Sequence, residues 1–329
     1  MTDSTWVSPG SHILLTCGDA RAAARIEVLL SHGAVVTVAA PEVCGTVEDW
    51  HQRGLLTWLR REATGEDFLA ADLVLNPGAL QGSPESTRSA EGGTVTLVGG
   101  GPADPGLLTV AGQAALAEAD VVVTDRLAPL AALDSLPPHV EIIDVAKIPH
   151  GRSTSQETIN ALLVEHARAG RRVVRLKGGD SFVFGRGHEE VEACREAGVP
   201  TRVIPGVTSA ISAPELAGIP VTHRGVSQGF TVVSGHVPPG HPDSTVDWAA
   251  LARSGTTLVV LMGIRTLAAI TAALVDAGLD PATPAAVVAD AARPSQRTVR
   301  ATVGDLAARV VAEQIGAPAV VVIGPVAAL

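Results

Sequence analysis

The chain has no tyrosine, and only 4 phenylalanines and 4 tryptophans stand among its 329 residues. Single-stranded nucleic acid binds by stacking bases on aromatic rings, so a sequence this poor in rings excludes such a platform. Positive charge is also short: 24 Lys and Arg against 34 Asp and Glu leave a formal net charge of −10. Nucleic acid or an anionic membrane surface, as a bulk partner, is disfavoured on that balance. A small anionic ligand is a different case, because a local basic site can sit on an acidic protein. No uninterrupted apolar run reaches about 18 residues, so no membrane span is expected. The opening "MTDSTWVSPG" lacks the basic segment and apolar core of a secretory signal. Cys17, Cys44 and Cys194 are odd in number, far apart and without a C-x-x-C pair. Neither a disulfide framework nor a metal site is expected, and a reducing cytoplasm fits.

What is present is rich in Ala, Val and Leu and reads as soluble and globular, long enough for two or three cores. "GALQGSPESTRSAEGG" (78–93) breaks the apolar periodicity and reads as a linker, placed at 81–93. Ahead of it, "HILLT", "AVVTVAAP", "LLTWLRR" and "ADLVLN" read as strands, and "DARAAARIEVLLSHG" as a helix closed by Gly33. This is half of a nucleotide-binding α/β fold, residues 1–80. Beyond the linker, apolar runs at 95–99, 120–124, 140–145 and 172–176 alternate with helices near 107–117 and 156–169. A helix at 187–197, a strand at 201–204 and a helix from Thr208 follow. Five more strands then alternate with helices near 263–277 and 304–314. The pattern predicts α/β lobes at about 94–207 and 208–329. Ligands in such folds sit beyond the carboxyl ends of strands.

Glycine collects at such ends. In "TVTLVGGGPADPGLLT" (94–109), Gly99 and Gly101 begin a dinucleotide fingerprint, but Asp104 takes the place of its third glycine. Pro102 and Pro105 also remove N–H donors that a pyrophosphate needs. A tight turn capped by Asp104 and a loop for some other ligand remain open. In "RLKGGDSFVFGRG" (175–187), Gly178 and Gly179 permit close backbone approach, and Asp180 can accept hydrogen bonds from an ammonium or hydroxyl group. The alternative there is a capped turn with an apolar plug. Asp125 and Lys147 each follow an apolar strand, as a catalytic group or as an ordinary cap and a solvated cation. "PGVTSA" (205–210) starts a helix whose free N–H groups suit a carboxylate, or is simply capped by Thr208 or Ser209. Basic residues gather around these ends: Arg126, His150, Arg152, Lys177, Arg186, His188, His223, Arg224, His236 and Arg265. Together they would suit a substrate with several carboxylates. No G-x-S-x-G, H-E-x-x-H or Walker motif supports a hydrolase, zincin or NTPase.

Taken in order, "VGGGPADPGLLT", "VVVTDRL", "VAK", "RLKGGDSFVFGRGHEE", "PGVTSA" and "LVVLMG" resemble the uroporphyrinogen-III C-methyltransferases, which are tetrapyrrole methylases. The resemblance covers about 94–329 and implies a two-lobed α/β tetrapyrrole methylase fold, preceded here by a short Rossmann-like segment. It implies S-adenosylmethionine as cofactor and S-adenosylhomocysteine as product. Pro102, Gly178, Gly179, Asp180, Val183, Thr208, Ser209 and Met262 match the family's cofactor contacts. Ala291 stands where the family uses a backbone glycine, which alanine can replace if its φ is negative. Asp125 matches the proposed proton acceptor and Lys147 the proposed proton donor. The implied reaction methylates two ring carbons of uroporphyrinogen III to precorrin-2, in siroheme or cobalamin biosynthesis, by a cytoplasmic homodimer. Its anionic tetrapyrrole substrate would explain basic loops on an acidic chain.

Departures bear on the substrate. Ser181 stands where the family has Pro, His188 where it has Gly, and "KIPHGR" differs from the usual segment. Residues 1–80 resemble a reduced form of the dehydrogenase/chelatase domain fused to this methylase in siroheme synthases. Their turn "TCGDARAAAR" keeps only Gly18, which points to a degraded NAD site kept for folding or assembly. The alternatives are a bifunctional enzyme that also oxidises precorrin-2 with NAD, a paralogue acting on another tetrapyrrole or metabolite, and a non-catalytic S-adenosylmethionine-binding module.

Overall fold

The computed structural model describes residues 8–75, 93–146 and 154–329. Their contacts form two compact units, Met1–Val207 and Thr208–Leu329. In the first unit, strands β1 (His12–Leu15), β2 (Val35–Ala39), β3 (Thr57–Leu59) and β4 (Leu73–Leu75) make a parallel sheet in the order β3-β2-β1-β4. Helix α1 (Ala20–Ser31) begins at Asp19, whose carboxylate accepts from Ala22 N at 2.8 Å. Ala23, Ile26 and Leu29 carry its apolar stripe into the core. It ends at His32, where Gly33 supplies a left-handed φ of +75°. Helices α2 (Gly45–Gln52) and α3 (Gly65–Ala70) complete the segment.

The second sheet of this unit uses β5 (Thr94–Gly99), β6 (Val121–Thr124), β7 (Glu141–Asp144), β8 (Arg172–Lys177) and β9 (Thr201–Ile204). All pairs are parallel, in the order β7-β6-β8-β5-β9, with helices α4 (Val110–Ala117), α5 (Gln156–Arg168) and α6 (Gly187–Glu196). Alternate strand residues serve opposite faces. Val95, Leu97, Val121, Val123 and Val173 join Ile159, Leu163 and Cys194 on one side. Val98, Val122, Val174 and Leu176 share the other core with Leu130 and Leu133, and with Ile26, Leu29 and Trp50 of the amino-terminal segment. The two sheets therefore share one hydrophobic interior.

Polar contacts tie them further. Arg21 donates to Val140 O at 2.7 Å, Ala131 N donates to Glu27 at 2.6 Å, and Arg25 meets Asp134 at 2.9 Å. Cys44, the first residue of the α2 boundary, makes no side-chain cap. Asp144, at the end of β7, does so instead, accepting from Thr46 N at 3.2 Å and Thr46 Oγ1 at 2.9 Å. Its charge also suits the positive end of the helix dipole.

In the second unit, β10 (Phe230–Ser234), β11 (Thr257–Leu261), β12 (Pro284–Ala289), β13 (Arg297–Thr302) and β14 (Ala319–Ile323) follow the order β10-β11-β14-β12-β13. Only β10 and β11 are parallel; the other pairs are antiparallel. Helices α8 (Trp248–Ala252), α9 (Leu267–Asp276) and α10 (Val303–Ala312) cover one face, where Trp248, Ile270 and Leu306 are buried. Helix α7 (Ser209–Leu216) covers the other through Ala210 and Ala213.

The periodicity misses α2, α3 and α8, which are too short for a repeat of about 3.6 residues to show. The helix expected near 107–117 begins at Val110, because a 3-10 turn at Pro105–Leu107 precedes it. Asp104 caps that turn, and Thr109 caps the helix.

Candidate functional site

Because the second sheet is wholly parallel, the carboxyl ends of its strands lie at one edge. Loops from β5, β8 and β9 meet there through backbone. Gly101 and Gly179 exchange hydrogen bonds at 3.1 and 2.8 Å, and Gly100 N donates to Lys177 O at 2.7 Å. A Cβ on Gly99 would lie 2.5 Å from Gly206 N and 2.9 Å from Gly179 O. One on Gly178 would strike the Leu127 carbonyl, and one on Gly206 would strike Gly99. These glycines let three loops approach one another. Pro102 is buried and its carbonyl accepts from Asp104 N at 2.6 Å.

Asp180 is likewise engaged. It accepts from Phe182 N at 2.9 Å and from Gly206 N at 3.0 Å, stapling the β8 loop to the β9 loop. A carboxylate has about four acceptor positions, so it retains capacity for a further donor. Phe182, Val183 and Phe184, the residues of the alternative apolar plug, are all exposed. Phe184 and Arg186 have φ of +55° and +56°, a backbone shape costly for residues with a Cβ.

Asp125 stands directly after β6. Its Oδ1 accepts from Leu127 N at 3.1 Å and its Oδ2 from Arg175 Nη2 at 3.0 Å. Arg175 and Lys177 are two apart on β8 and so share a face. Both reach Glu190 Oε1, at 3.1 Å each, and Gln156 Nε2 donates to the same oxygen at 3.2 Å. Glu190 lies in the first turn of α6 and is fully buried; its Oε2 has no hydrogen-bond partner among the described residues. Burial, reinforced by the Arg175 guanidinium, holds Lys177 below the ordinary lysine range despite the two carboxylates. Burial also opposes charge on Arg175, but Asp125 and Glu190 outweigh it and raise its pKa.

Sequence reading passed over Arg175, Glu190 and Gln156 and placed Lys177 among basic groups suited to a substrate. Lys177 is instead buried beside Glu190. The available signal was "RLK" itself: charges in a strand buried on both faces demand internal partners. Arg126 pairs with Asp49 at 3.3 Å, and Arg186 with Glu189 at 2.8 Å. His188 is exposed, with its ring edge-on to Phe182, while Ser181 is buried. Ser181 Oγ has no hydrogen-bond partner among the described residues. Lys147, His150 and Arg152 lie outside the described residues, as does the linker through residue 92.

In the second unit, Thr208 caps α7 by accepting from Ala210 N at 3.3 Å, and Ser209 is the first helical residue. Met262 follows β11 with a φ of +57° and is exposed. Ala291 follows β12 between Asp290 and Ala292, which have φ of +50° and +65°; Ala291 itself is not left-handed. Its backbone therefore meets the condition for replacing glycine. His223, Arg224, His236 and Arg265 are exposed on this unit.

Residues 94–307 match the family described as tetrapyrrole (corrin/porphyrin) methylases. The chain belongs to the tetrapyrrole methylase family. Residues 5–78 match a family described as putative NAD(P)-binding. A siroheme synthase of Halorhodospira halophila is 46% identical over 265 residues, covering 80% of this chain and 52% of the relative. This chain thus spans about half the length of the siroheme synthases it matches. A uroporphyrinogen III methyltransferase of Methanosarcina barkeri, named as dependent on S-adenosyl-L-methionine, is 42% identical over 234 residues, covering 71% of this chain and 92% of that protein. The crystal structure of a uroporphyrin-III C-methyltransferase of Thermus thermophilus, complexed with S-adenosylhomocysteine, superimposes with a TM-score of 0.58 at 40% identity. It covers 71% of this chain and 98% of its own.

Proposed function

We propose that this tetrapyrrole methylase transfers two methyl groups from S-adenosylmethionine to uroporphyrinogen III, giving precorrin-2 and S-adenosylhomocysteine. The observation that carries the reading is the similarity across 92% of the M. barkeri methyltransferase. Each unit carries chemistry suited to the cofactor: on the first, exposed apolar Val183 and residual acceptor capacity on Asp180; on the second, exposed apolar Met262 and hydroxyls on Thr208 and Ser209. With Pro102, Gly178, Gly179 and Ala291, these residues are proposed to hold it. When bound, S-adenosylmethionine supplies a methyl cation equivalent, the S–CH3 electron pair staying on sulfur as a new C–C bond forms.

The chain's own task is to align the acceptor carbon and manage the proton lost after methylation. Asp125 is proposed to accept that proton and Lys147 to donate one. Exposed cations such as Arg224 and Arg265 would meet the substrate carboxylates. We extend the reading to a cytoplasmic homodimer of siroheme or cobalamin biosynthesis. Cysteines odd in number, far apart and without a C-x-x-C pair agree with a reducing compartment, and no described helix is long and apolar enough to cross a membrane.

We further propose that residues 1–80 are a reduced dehydrogenase-type domain, joined through 81–93 to a methylase domain at 94–329. Among the described residues, the first strand-to-helix turn does not fit a dinucleotide. The space beside Gly18 is filled by Val43, and Asp19 already places a carboxylate on the Ala22 amide in the first turn of α1, where a pyrophosphate would need to bind.

Incubation with S-adenosylmethionine and uroporphyrinogen III, read by mass spectrometry, should show a gain of two methyl groups. Cofactor binding with no methyl gain would overturn the proposal. Asp125→Asn should cut turnover by about 100-fold or more while changing cofactor affinity little, in the range for losing a general base. Loss of cofactor binding with intact turnover at saturation would reject that role.

A further inference from the structure

Four buried or half-buried charges on β8, on α6 and at the end of β6 form a balanced set: Asp125 and Glu190 against Arg175 and Lys177. Their exposure is uneven. The side chains of Glu190, Arg175 and Lys177 are 0, 3 and 7% exposed, whereas that of Asp125 is 26% exposed. The network is closed to solvent everywhere except at Asp125.

Its wiring has a direction. Lys177 and Gln156 both serve Glu190 Oε1, so the Glu190 charge is met without drawing wholly on Arg175. The guanidinium is fixed on several sides: Nε donates to Glu190, Nη1 to the Leu176 carbonyl at 3.0 Å, and Nη2 to Asp125. Leu176 lies on the central strand β8 and Glu190 on α6, so two of these partners belong to regular elements. Asp125 is thus held through both oxygens, one by a rigid guanidinium and one by the Leu127 amide. A wholly structural cluster would be poorly suited to this place, because apolar replacements of a buried ion set are often neutral or stabilising.

We propose that Arg175 is the positioning residue for Asp125, with Glu190 on α6 as its anchor. The inference rests on the reading of Asp125 as proton acceptor. The guanidinium fixes the carboxylate plane, so the free lone pairs of Asp125 face a set direction before substrate arrives. Only arginine can do this, since its planar fork holds Glu190 and Asp125 at once, whereas a lysine ammonium is a single point of charge.

The test uses the full chain with Arg175→Lys, Asp125→Asn and the double variant, assayed with S-adenosylmethionine and uroporphyrinogen III. Arg175→Lys should lower kcat about 10- to 100-fold, the scale on which a misplacement of about 1 Å acts. KM for both substrates and the Kd of S-adenosylhomocysteine should stay within about two-fold. In the Asp125→Asn background, adding Arg175→Lys should lower kcat no further. Multiplying losses in the double variant would overturn the inference. So would a fall in S-adenosylhomocysteine affinity that tracks kcat, since that marks a merely structural role. Should Arg175→Lys fail to fold, Glu190→Gln retains the side-chain shape and removes the anchoring charge; unchanged kcat in that folded variant also overturns it. Unchanged kcat in Asp125→Asn alone would overturn the reading of Asp125 first, and this inference with it.

Discussion

Gly99→Ala tests whether the strand-end glycines serve loop approach. The added Cβ would lie 2.5 Å from Gly206 N, 2.7 Å from Gly206 Cα and 2.9 Å from Gly179 O. Ordinary contact needs about 3.5 Å, so the loops after β8 and β9 would have to retreat by up to about 1 Å. All three obstacles are backbone, and no side-chain rotation relieves them. The retreat would strain the paired Gly101–Gly179 bonds and the Asp180 bond to Gly206 N. At about 1 kcal/mol net each, losing three bonds costs about 3 kcal/mol. That agrees with the ~1–3 kcal/mol seen for overpacking. For a unit of this size it corresponds to a fall in Tm of about 6–12 °C, at 2–4 °C per kcal/mol. Differential scanning calorimetry of the full chain reads the shift. Gly65→Ala is the control, since it lies at the start of α3 with nothing near its Cβ. It should change stability by less than about 1 kcal/mol, toward greater stability. A Gly99→Ala transition within 1–2 °C of the parent would refute the argument, because the loops would then separate without cost.

Two further perturbations probe other parts of the first unit. Thr46→Val removes the hydroxyl bond to Asp144 while leaving the amide bond, and should cost about 1 kcal/mol in denaturant unfolding. No loss would mean that Asp144 caps α2 through the amide alone. Asp120, at the turn into β6, accepts from Arg172 N at 2.8 Å and from its guanidinium. Burial opposes its ionisation, but those bonds win and lower its pKa from 3.8. A depressed folded pKa contributes stability that is present above the unfolded value and lost as pH falls through the folded one. Asp120→Asn should therefore be less stable than the parent by about 1 kcal/mol or less at pH 7, with the gap closing below pH 3.8. A gap that persists unchanged through the acid range would show that the carboxylate charge is not the cause.

Much of the strand order along the chain was legible because buried parallel strands are apolar throughout. "TVTLVG", "DVVVTD" and "RVVRLK" announce themselves between helices of amphipathic spacing. Asp125 was visible for the same reason, as a charge at the end of such a run. Short helices were not: α2 takes part of its cap from Asp144, nearly a hundred residues later, and a local pattern cannot contain that.

By itself, the amino-acid sequence determined the alternation of strands and helices, the glycine-rich strand ends and the acidic balance, since these depend on local period and composition. Tertiary structure alone decided what those residues face. The glycines turned toward one another because parallel strands bring their loops to one edge. Lys177 turned inward because its neighbour two positions away, Arg175, puts both cations over Glu190. Asp125 acquired a fixed orientation by the same route. Side-chain partners set by strand register and helix packing are long-range facts, and no window along the chain holds them.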